Sequence, residues 1–287
     1  MGKANKVLFI TQEITPYMAE NEISLLGRTL PQAIQEHGRE IRTFMPKWGA
    51  INERRNQLHE VIRLSGMNLI IDDTDHPLII KVASIQAARM QVYFIDNDDY
   101  FQNRLEVKDE NGVDYEDNDE RIIFYARGVL ETVKKLRWCP DLIHCHGWIS
   151  LLAPLYIKKA YKDEPSFRSS KVVISLYEDG LHEPFKADFV SKLMLKGVAK
   201  KDVAKLKEPI TYFDLCKLAI DFSDGIIQQD PNIDPRLLEH IQSTGKPFLP
   251  YQEPDCYIEA CNKFYDEVME YEPAAPAATA AAPASKR

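Results

Sequence analysis

Short apolar runs of strand length alternate along the chain with longer segments whose apolar residues recur at helical spacing. The first run, Lys6–Ile10, is followed by a proline-containing connection and then by a periodic segment at 24–36. His37-Gly38 ends that segment, because glycine tolerates a left-handed backbone, and a second strand-like run occupies 40–44. Strand, helix and strand in this order predict a βαβ unit, which restricts the fold to a largely parallel sheet.

The alternation continues to residue 271 with one antiparallel interruption. Between 58 and 97, turn clusters such as Asp72-Asp73-Thr74-Asp75 separate strand-like runs at 61–64, 69–71, 78–84 and 91–95, which predicts a β-meander insertion. We therefore predict an α/β, Rossmann-like fold, a mainly parallel sheet with helices on both faces and ligands at the carboxyl ends of the strands. The remaining pattern predicts helices at 119–136, 148–161, 212–221, 235–243 and 254–271, and strands at 142–145, 172–176 and 225–228.

Composition separates a folded region from a tail. Residues 272–287 are mostly Ala and Pro, so we predict a disordered tail after a single domain at 1–271. The net charge of -8 gives no positive field for nucleic acid or for an anionic membrane surface. No apolar stretch approaches the roughly 20 residues of a membrane span. We expect a cytoplasmic protein with neither nucleic acid nor membrane as a partner.

Six separated segments carry a family resemblance: KVLFITQEITPY (6–17), LPQA (30–33), MPKWG (45–49), VYFIDN (92–97), DNDER (117–121) and PDLIHCHGW (140–148). In order and spacing they resemble the N-terminal half of glycogen and starch synthases. The resemblance implies the first domain of a GT-B glycosyltransferase, in a family that transfers glucose from ADP-glucose to an α-1,4-glucan. It implies sugar contacts at Asp117, Asn118, His146 and Trp148. The family's second nucleotide-binding domain has no counterpart here, and we expect it to be absent.

The resemblance fails at the loop where the family binds the donor phosphates. Where the family has Lys-x-Gly-Gly-Leu, this chain has Ala19, Glu20, Asn21, Glu22 and Ile23. Glycines would let backbone amides approach a diphosphate, and lysine would supply the counter-charge, whereas the two carboxylates would repel it. ADP-glucose binding is therefore not expected. Further departures are Leu25 in place of an aspartate, Gly147 and Ile149 within the family's His-Asp-Trp-His, and Tyr177-Glu178 in place of His-Asn.

The retained positions also have structural interpretations. Asp117 and Asn118 precede the helix at 119–136, where either side chain could cap the helix, so a cap and a sugar contact both stay open. His144 and His146 have a spacing that would allow a shared metal ion. No further His or Cys lies at ligand spacing, so ordinary strand-end histidines are favoured, and we expect no metal and no cofactor.

Two functional hypotheses follow. In the first, the chain is a degenerate relative that is inactive alone and binds an α-glucan or a protein partner. Trp148 would then offer a ring face to a pyranose, with Asp117 and Asn118 bonding to its hydroxyls. In the second, the chain is an active glucosyltransferase whose missing domain is supplied by a separate chain. The altered donor loop favours the first hypothesis.

Overall fold

Strands and helices alternate in the computed structural model, which describes residues 3–178 and 180–272. The strands are β1 (Lys6–Ile10), β2 (Glu40–Pro46), β3 (His59–Glu60), β4 (Met67–Ile71), β5 (Thr74–Ile85), β6 (Met90–Asp96), β7 (Leu142–His146), β8 (Lys171–Leu176), β9 (Gly225–Gln228) and β10 (Phe248–Leu249). The α-helices are α1 (Glu22–Glu36), α2 (Asn118–Leu136), α3 (Ala153–Lys158), α4 (Phe189–Lys192), α5 (Tyr212–Phe222), α6 (Pro235–Thr244) and α7 (Pro254–Glu270).

One sheet organises the described residues, in the order β10-β9-β8-β7-β1-β2-β6-β5-β3, with β4 paired to β5. The neighbouring pairs from β10 through β6 are parallel. The strand order reverses around β1, so the carboxyl ends of β1 and β7 flank a switch point, where sheets of this kind bind ligands. The predicted α/β fold with a mainly parallel sheet is confirmed.

Helices cover both faces of the sheet because the central strands are apolar on both sides. In β1, Val7 and Phe9 belong to the core that α1 and α7 close, whereas Leu8 and Ile10 belong to the core on the other face, under α2, α3 and α5. This alternation follows from the two-residue side-chain period of a strand. The switch point is therefore framed by rigid elements.

The last helix, α7, is anchored to the first strands. The guanidinium of Arg39, 4% exposed, donates to both carboxylate oxygens of Asp266 at 3.1 Å and to the carbonyl oxygen of Ala4 at 2.6 Å. It also donates to the side-chain and carbonyl oxygens of Asn262, each at 2.9 Å. The predicted helix is present, and it is an integral part of the domain.

The predicted β-meander is present, with one wrong strand. β5 pairs antiparallel with β6, β3 and β4. The run at 61–64 forms a turn, because the amides of Leu64 and Ser65 both bond to the carbonyl oxygen of Val61 at 2.8 and 3.1 Å. The turn places Leu64 in the core, where it is 3% exposed. The apolar residues of this run are therefore explained by burial of a turn and do not indicate a strand.

The helix predicted at 148–161 was also partly wrong. A 3₁₀ turn at Trp148–Ser150 comes first, and α3 begins separately with a proline in its first turn, where the missing amide is tolerated. The short elements α4 and β10 were not predicted, since neither is long enough to show a regular spacing of apolar residues. The tail proposed at 272–287 lies, beyond Glu272, outside the described residues. No helix in the described part of the chain is long and apolar enough to cross a membrane.

Candidate functional site

The connection from β1 to α1 lies at the switch point and packs tightly against the helix that follows it. The amide of Thr15 donates to the carbonyl oxygen of Ser24 at 2.9 Å. A side chain at Gly27 would collide with the carbonyl oxygen of Glu13, which explains a glycine inside α1 despite its low helix propensity. The connection therefore follows one defined path.

The start of α1 is capped by the chain itself. Oδ1 of Asn21 accepts from the Ser24 amide at 2.8 Å, and Oγ of Ser24 accepts from the Asn21 amide at 3.0 Å, a complete capping box. Nδ2 of Asn21 donates to Oε2 of Glu13 at 2.6 Å, and Nε2 of Gln12 donates to its Oε1 at 2.9 Å. A buried carboxylate thus stands beside the helix N-terminus, where the helix dipole stabilises it. The amides of Asn21 and Ser24 are thus engaged within the capping box.

A cleft of about 450 Å³, the Glu13 cleft, opens beside this loop. Glu13, Glu106 and Asp109 line it, and Lys108 is the only lysine or arginine among its described lining residues. Burial raises the pKa of Glu106, and the nearby charge of Glu13 raises it further. The cleft therefore disfavours an added negative charge. Its lining residues are Gln12, Glu13, Met18, Ala19, Asn21, Leu105, Glu106, Val107, Lys108, Asp109, Gly180 and His182.

The crevice between β1 and β7 is occupied by Gln12. Its Oε1 accepts the amide of Trp148 at 3.1 Å, and its carbonyl oxygen accepts Nε1 of Trp48 at 2.8 Å. The backbone of Gly147 has φ of 78°, and a Cβ there would collide with the Gln12 side chain. The glycine at this position is therefore required both by its backbone conformation and by the packing of Gln12.

His146 belongs to a buried polar network. Its Nε2 lies 3.2 Å from Nδ1 of His144, and its Nδ1 lies 3.4 Å from the hydroxyl of Tyr177. His144 also contacts the hydroxyls of Tyr265 at 2.6 Å and Ser175 at 2.8 Å. Burial lowers the pKa of His146 to about 3 and, together with His146, lowers that of His144 well below its usual value. Both rings are therefore neutral at physiological pH. Among the described residues, no group of three or more His, Cys, Asp or Glu could hold a metal ion.

Trp148 is buried in the main core. Its side chain is 1% exposed, so the expectation that its ring face is open to a pyranose is wrong in this conformation. The physical reason is the 3₁₀ turn after β7, which places the ring inside the apolar cluster of that face. A sugar could reach Trp148 only if this turn rearranged.

Asp117 and Asn118 lie together at the start of α2, but neither side chain caps it. The carboxylate of Asp117 accepts both terminal nitrogens of Arg104. Oδ1 of Asn118 accepts from Arg121 at 2.7 Å, and its Nδ2 donates to the carbonyl oxygen of Val107 at 3.0 Å. The capping interpretation is therefore wrong for both side chains, because arginines compete for their oxygens.

A second cavity, the Asn118 cavity, has a volume of about 330 Å³. It combines the half-buried ring of Tyr115 and the ring of Phe185 with the amide of Asn118 and the carboxylates of Asp114 and Asp119. Aromatic faces beside hydrogen-bonding groups suit sugar hydroxyls and their apolar ring faces. It is lined by Val113, Asp114, Tyr115, Glu116, Asn118, Asp119, Leu181, Glu183, Pro184, Phe185 and Lys186.

Sequence reasoning missed Arg121, which bonds to residues that line both cavities. The residue is 0% exposed, and its guanidinium donates to the carbonyl oxygens of Tyr100 at 3.0 Å, Leu105 at 2.7 Å and Glu106 at 3.0 Å. Burial lowers its pKa to about 10. Its sequence signal was an arginine directly before the apolar run at 122–126 of a helix.

Several known proteins with related sequences are named glycogen synthases. The family described as "Starch synthase catalytic domain" matches residues 6–245. The glycogen synthase of Chlorobium limicola is 38% identical over 191 residues, which cover 65% of this chain and 39% of that protein. The glycogen synthase of Chlorobaculum tepidum is 38% identical over 179 residues, covering 62% and 37%. The chain thus spans 39% or less of the length of these two relatives.

Among solved structures, the catalytic domain of starch synthase IV from Arabidopsis thaliana, bound to ADP and acarbose, has a similar fold. The TM-score is 0.66 at 16% sequence identity, and the match covers 89% of this chain and 53% of that chain. At this level of identity the likeness shows a shared glycosyltransferase fold.

Proposed function

This chain belongs to the starch synthase catalytic domain family, and from that premise we propose that it binds α-glucan as a non-catalytic module. In this proposal the domain does not hold a nucleotide-sugar donor. The observation that carries it is the start of α1, where Asn21 caps the helix and bonds at 2.6 Å to the buried carboxylate of Glu13. A helix N-terminus binds anions through free amides, and here the capping box already engages the amides of Asn21 and Ser24.

Electrostatics support the same conclusion. A diphosphate bound at the first turn of α1 would approach the carboxylates of Glu13 and Glu22, with no lysine in the loop to compensate. Two unit charges about 4 Å apart repel by ~1 kcal/mol in water and ~4 kcal/mol near a protein surface. Two such repulsions would remove most of the affinity of a millimolar ligand, which amounts to about 4 kcal/mol.

The Asn118 cavity is better suited to a sugar than the start of α1 is to a diphosphate. Tyr115, Phe185 and Asn118 line a cavity of about 330 Å³, large enough for part of a glucan chain. Asn118 is also a sugar-contacting position by family resemblance. Because Asp117 is paired with Arg104, Asn118 is bonded to Arg121 and Val107, and His146 is buried, we assign the sugar contact to other side chains that line the Asn118 cavity, such as Tyr115 and Glu116.

An active glucosyltransferase completed by a separate chain is the second candidate. One observation favours it: the family match extends over residues 6–245, and the parallel sheet and its switch point are intact. This alternative requires the start of α1 to release Glu13 when a donor binds. The two candidates therefore differ in whether the purified chain has any affinity for ADP-glucose.

The first experiment supplies radiolabelled ADP-glucose and maltoheptaose to the purified protein. We expect no label in polymer above a heat-denatured control. Calorimetric titration should give a dissociation constant for maltoheptaose in the millimolar range, about -4 kcal/mol, and no saturable heat with ADP-glucose. Incorporated label would favour the enzyme, and the absence of any maltoheptaose binding would contradict the glucan proposal.

A matched pair of variants locates the glucan site. Tyr115→Ala removes a ring that lines the Asn118 cavity, and we expect maltoheptaose affinity to fall at least fivefold, which corresponds to the ~1 kcal/mol typical of a contact between aromatic rings. Tyr251→Ala changes a tyrosine elsewhere on the surface and should leave affinity unchanged. Equal effects of the two substitutions would reject the assignment.

A further inference from the structure

One wall of the Asn118 cavity is a connecting segment, residues 181–188, which we call the strap. It belongs to no helix or strand. The cavity is lined by five of its residues, together with residues at and just before the start of α2: Leu181, Glu183, Pro184, Phe185 and Lys186. The shape of the cavity therefore depends on the contacts that hold the strap in place.

The first half of the strap is attached to the segment that precedes α2. Oδ2 of Asp114 accepts the backbone amides of His182 at 2.9 Å and Glu183 at 3.1 Å. Lys186 also pairs with Glu116 at 3.3 Å, but the side chain of Glu116 is 89% exposed, and exposed ion pairs contribute little to stability. Asp114 is therefore the main polar attachment of this half.

The second half of the strap leads into α4 and is fixed by Lys192. The ammonium of Lys192 lies 3.2 Å from Oδ2 of Asp119, 2.8 Å from Oε1 of Glu120 and 3.0 Å from Oδ2 of Asp188. The first two carboxylates belong to α2, and the third belongs to the strap. The Lys192 side chain is 4% exposed. Burial lowers the pKa of Lys192, but its bonds to the three carboxylates raise the pKa by more, so the ammonium stays charged.

We propose that Lys192 is a positioning residue for the glucan site and acts by holding the strap against α2. The inference rests on the glucan binding proposed above for the Asn118 cavity. Two residues connect Lys192 and α4 to the cavity. Asp119 lines the cavity and bonds to Lys192, and the ring of Phe185 lines it and stacks at 4.3 Å on Phe189 of α4. A displacement of α4 would therefore move a wall of the cavity.

Loss of the ammonium would leave three carboxylates together without a counter-charge. Asp188 on the strap would then face Asp119 and Glu120 on α2, and like charges at short range repel. The repulsion would push the strap away from α2. Apparent affinity falls with the fraction of molecules that can bind, so a strap in place about a tenth of the time weakens binding about tenfold.

The first test titrates maltoheptaose into variants by calorimetry, well below their melting temperatures. We expect Lys192→Met to weaken binding about tenfold. Adding Asp188→Asn to Lys192→Met removes the carboxylate of the strap and should recover at least about threefold, because the repulsion from α2 is relieved. Lys158→Met is the matched control. It breaks an ion pair with Asp224 at 2.6 Å, neither residue lines the cavity, and affinity should stay unchanged.

Hydrogen exchange in the ligand-free protein reports on the strap directly. The amides of His182 and Glu183 are protected by their bonds to Asp114. In Lys192→Met we expect both to exchange at least about tenfold faster, because the strap opens more often. The amides of β7 should keep their rates, and Lys158→Met should not accelerate exchange in the strap.

Three results would overturn the proposal. Unchanged maltoheptaose affinity in Lys192→Met would show that the cavity does not depend on Lys192. Equal losses in Lys192→Met and Lys158→Met would reflect general destabilisation, and no recovery with Asp188→Asn would reject repulsion of the strap. If the unaltered protein binds no maltoheptaose, the proposed function fails, and the exchange rates of His182 and Glu183 still decide whether Lys192 holds the strap.

Discussion

The first turn of α1 borders two cavities of opposite character. On the Glu13 side, Gln12, Glu13 and Asn21 bond to one another, and the helix start is capped. On the other side, a cavity of about 230 Å³ is lined largely by apolar side chains, among them Leu25, Leu26 and Ile258. The same helix turn thus borders an acidic, hydrogen-bonded cleft and a largely apolar cavity.

A helix N-terminus binds an anion through amide groups that are free. Here, at the position that the family resemblance would assign to the donor, the amides of Asn21 and Ser24 bond within the chain. Four changes test parts of this comparison.

Removal of α7 should have the largest effect. Tyr257, Phe264, Tyr265 and Val268 are buried in the core that α7 closes, so a chain ending at Glu253 would expose that core to solvent. We expect insoluble protein or a product without cooperative unfolding. A chain ending at Glu272 is the matched control and should keep the melting temperature of the full chain within a degree or two. A soluble, cooperative product ending at Glu253 would show that α7 is an accessory helix.

The wall of the Glu13 cleft depends on Arg121. Arg121→Met should lower the free energy of unfolding by about 3 kcal/mol, because three carbonyl oxygens and the Asn118 amide lose their donor in a buried place. Arg104→Met, at a partly exposed arginine, should lower it by less than about 1 kcal/mol. Urea denaturation gives the free energy of unfolding of both variants. Equal losses of stability would mean that contacts other than those of Arg121 hold the residues that line the Glu13 cleft.

The network that joins β7 to α7 should make stability depend on pH. Burial lowers the folded-state pKa of His146 to about 3, below the unfolded value of about 6.5. As pH falls below about 6.5, the His146 side chain binds a proton in the unfolded chain before it does so in the folded one. The contribution of His146 to the free energy of unfolding is therefore complete above about pH 7 and is lost progressively toward pH 3. From pH 7 to pH 5 we expect His146 to account for a loss of about 2 kcal/mol.

Denaturation curves at several pH values measure this loss of stability. His146→Asn should reduce the loss between pH 7 and pH 5 by about 2 kcal/mol. His59→Asn, at an exposed histidine, should leave the loss unchanged. If His146→Asn retains the full slope, the imidazole is already charged in the folded protein and the buried network is wrong.

Reopening the donor loop should have the smallest effect. The triple change Ala19→Lys, Asn21→Gly and Glu22→Gly removes the cap and one carboxylate and adds a counter-charge. We expect ADP affinity to rise at least tenfold into the low millimolar range, with a loss of stability below about 1 kcal/mol. Ala19→Lys alone keeps the cap and should gain less. Calorimetric titration with ADP measures the affinity of both variants. An equal rise in ADP affinity would show that the missing positive charge, and not the helix cap, prevents binding.

The architecture was predictable from the sequence because it depends on the spacing of apolar residues and on the length of each segment. The runs at Lys6–Ile10 and Gly225–Gln228 are strands at the predicted bounds, and α1, α2 and α7 begin or end within two residues of expectation. The errors at 61–64 and 148–161 arose where apolar residues are buried by turns, since burial alone does not specify a backbone conformation.

The site was less predictable. The resemblance located the altered loop, but not that Asn21 would form a capping box or that Gln12 would occupy the space over Gly147. The capping box is local, since it joins Asn21 to Ser24. The contact between Gln12 and Trp148 joins residues far apart in the chain, which no local pattern reveals. Burial of Trp148 was missed for the same reason.

The most direct test of the central claim follows the backbone amide of Ser24 in isotopically labelled protein during titration with ADP-glucose. Because this amide donates to Asn21 at 2.8 Å, the account predicts no saturable shift of its resonance up to several millimolar ligand. Under the same conditions, maltoheptaose should shift resonances around Tyr115. A saturable shift of the Ser24 amide with ADP-glucose would contradict the account, because the helix start would then be open to a diphosphate.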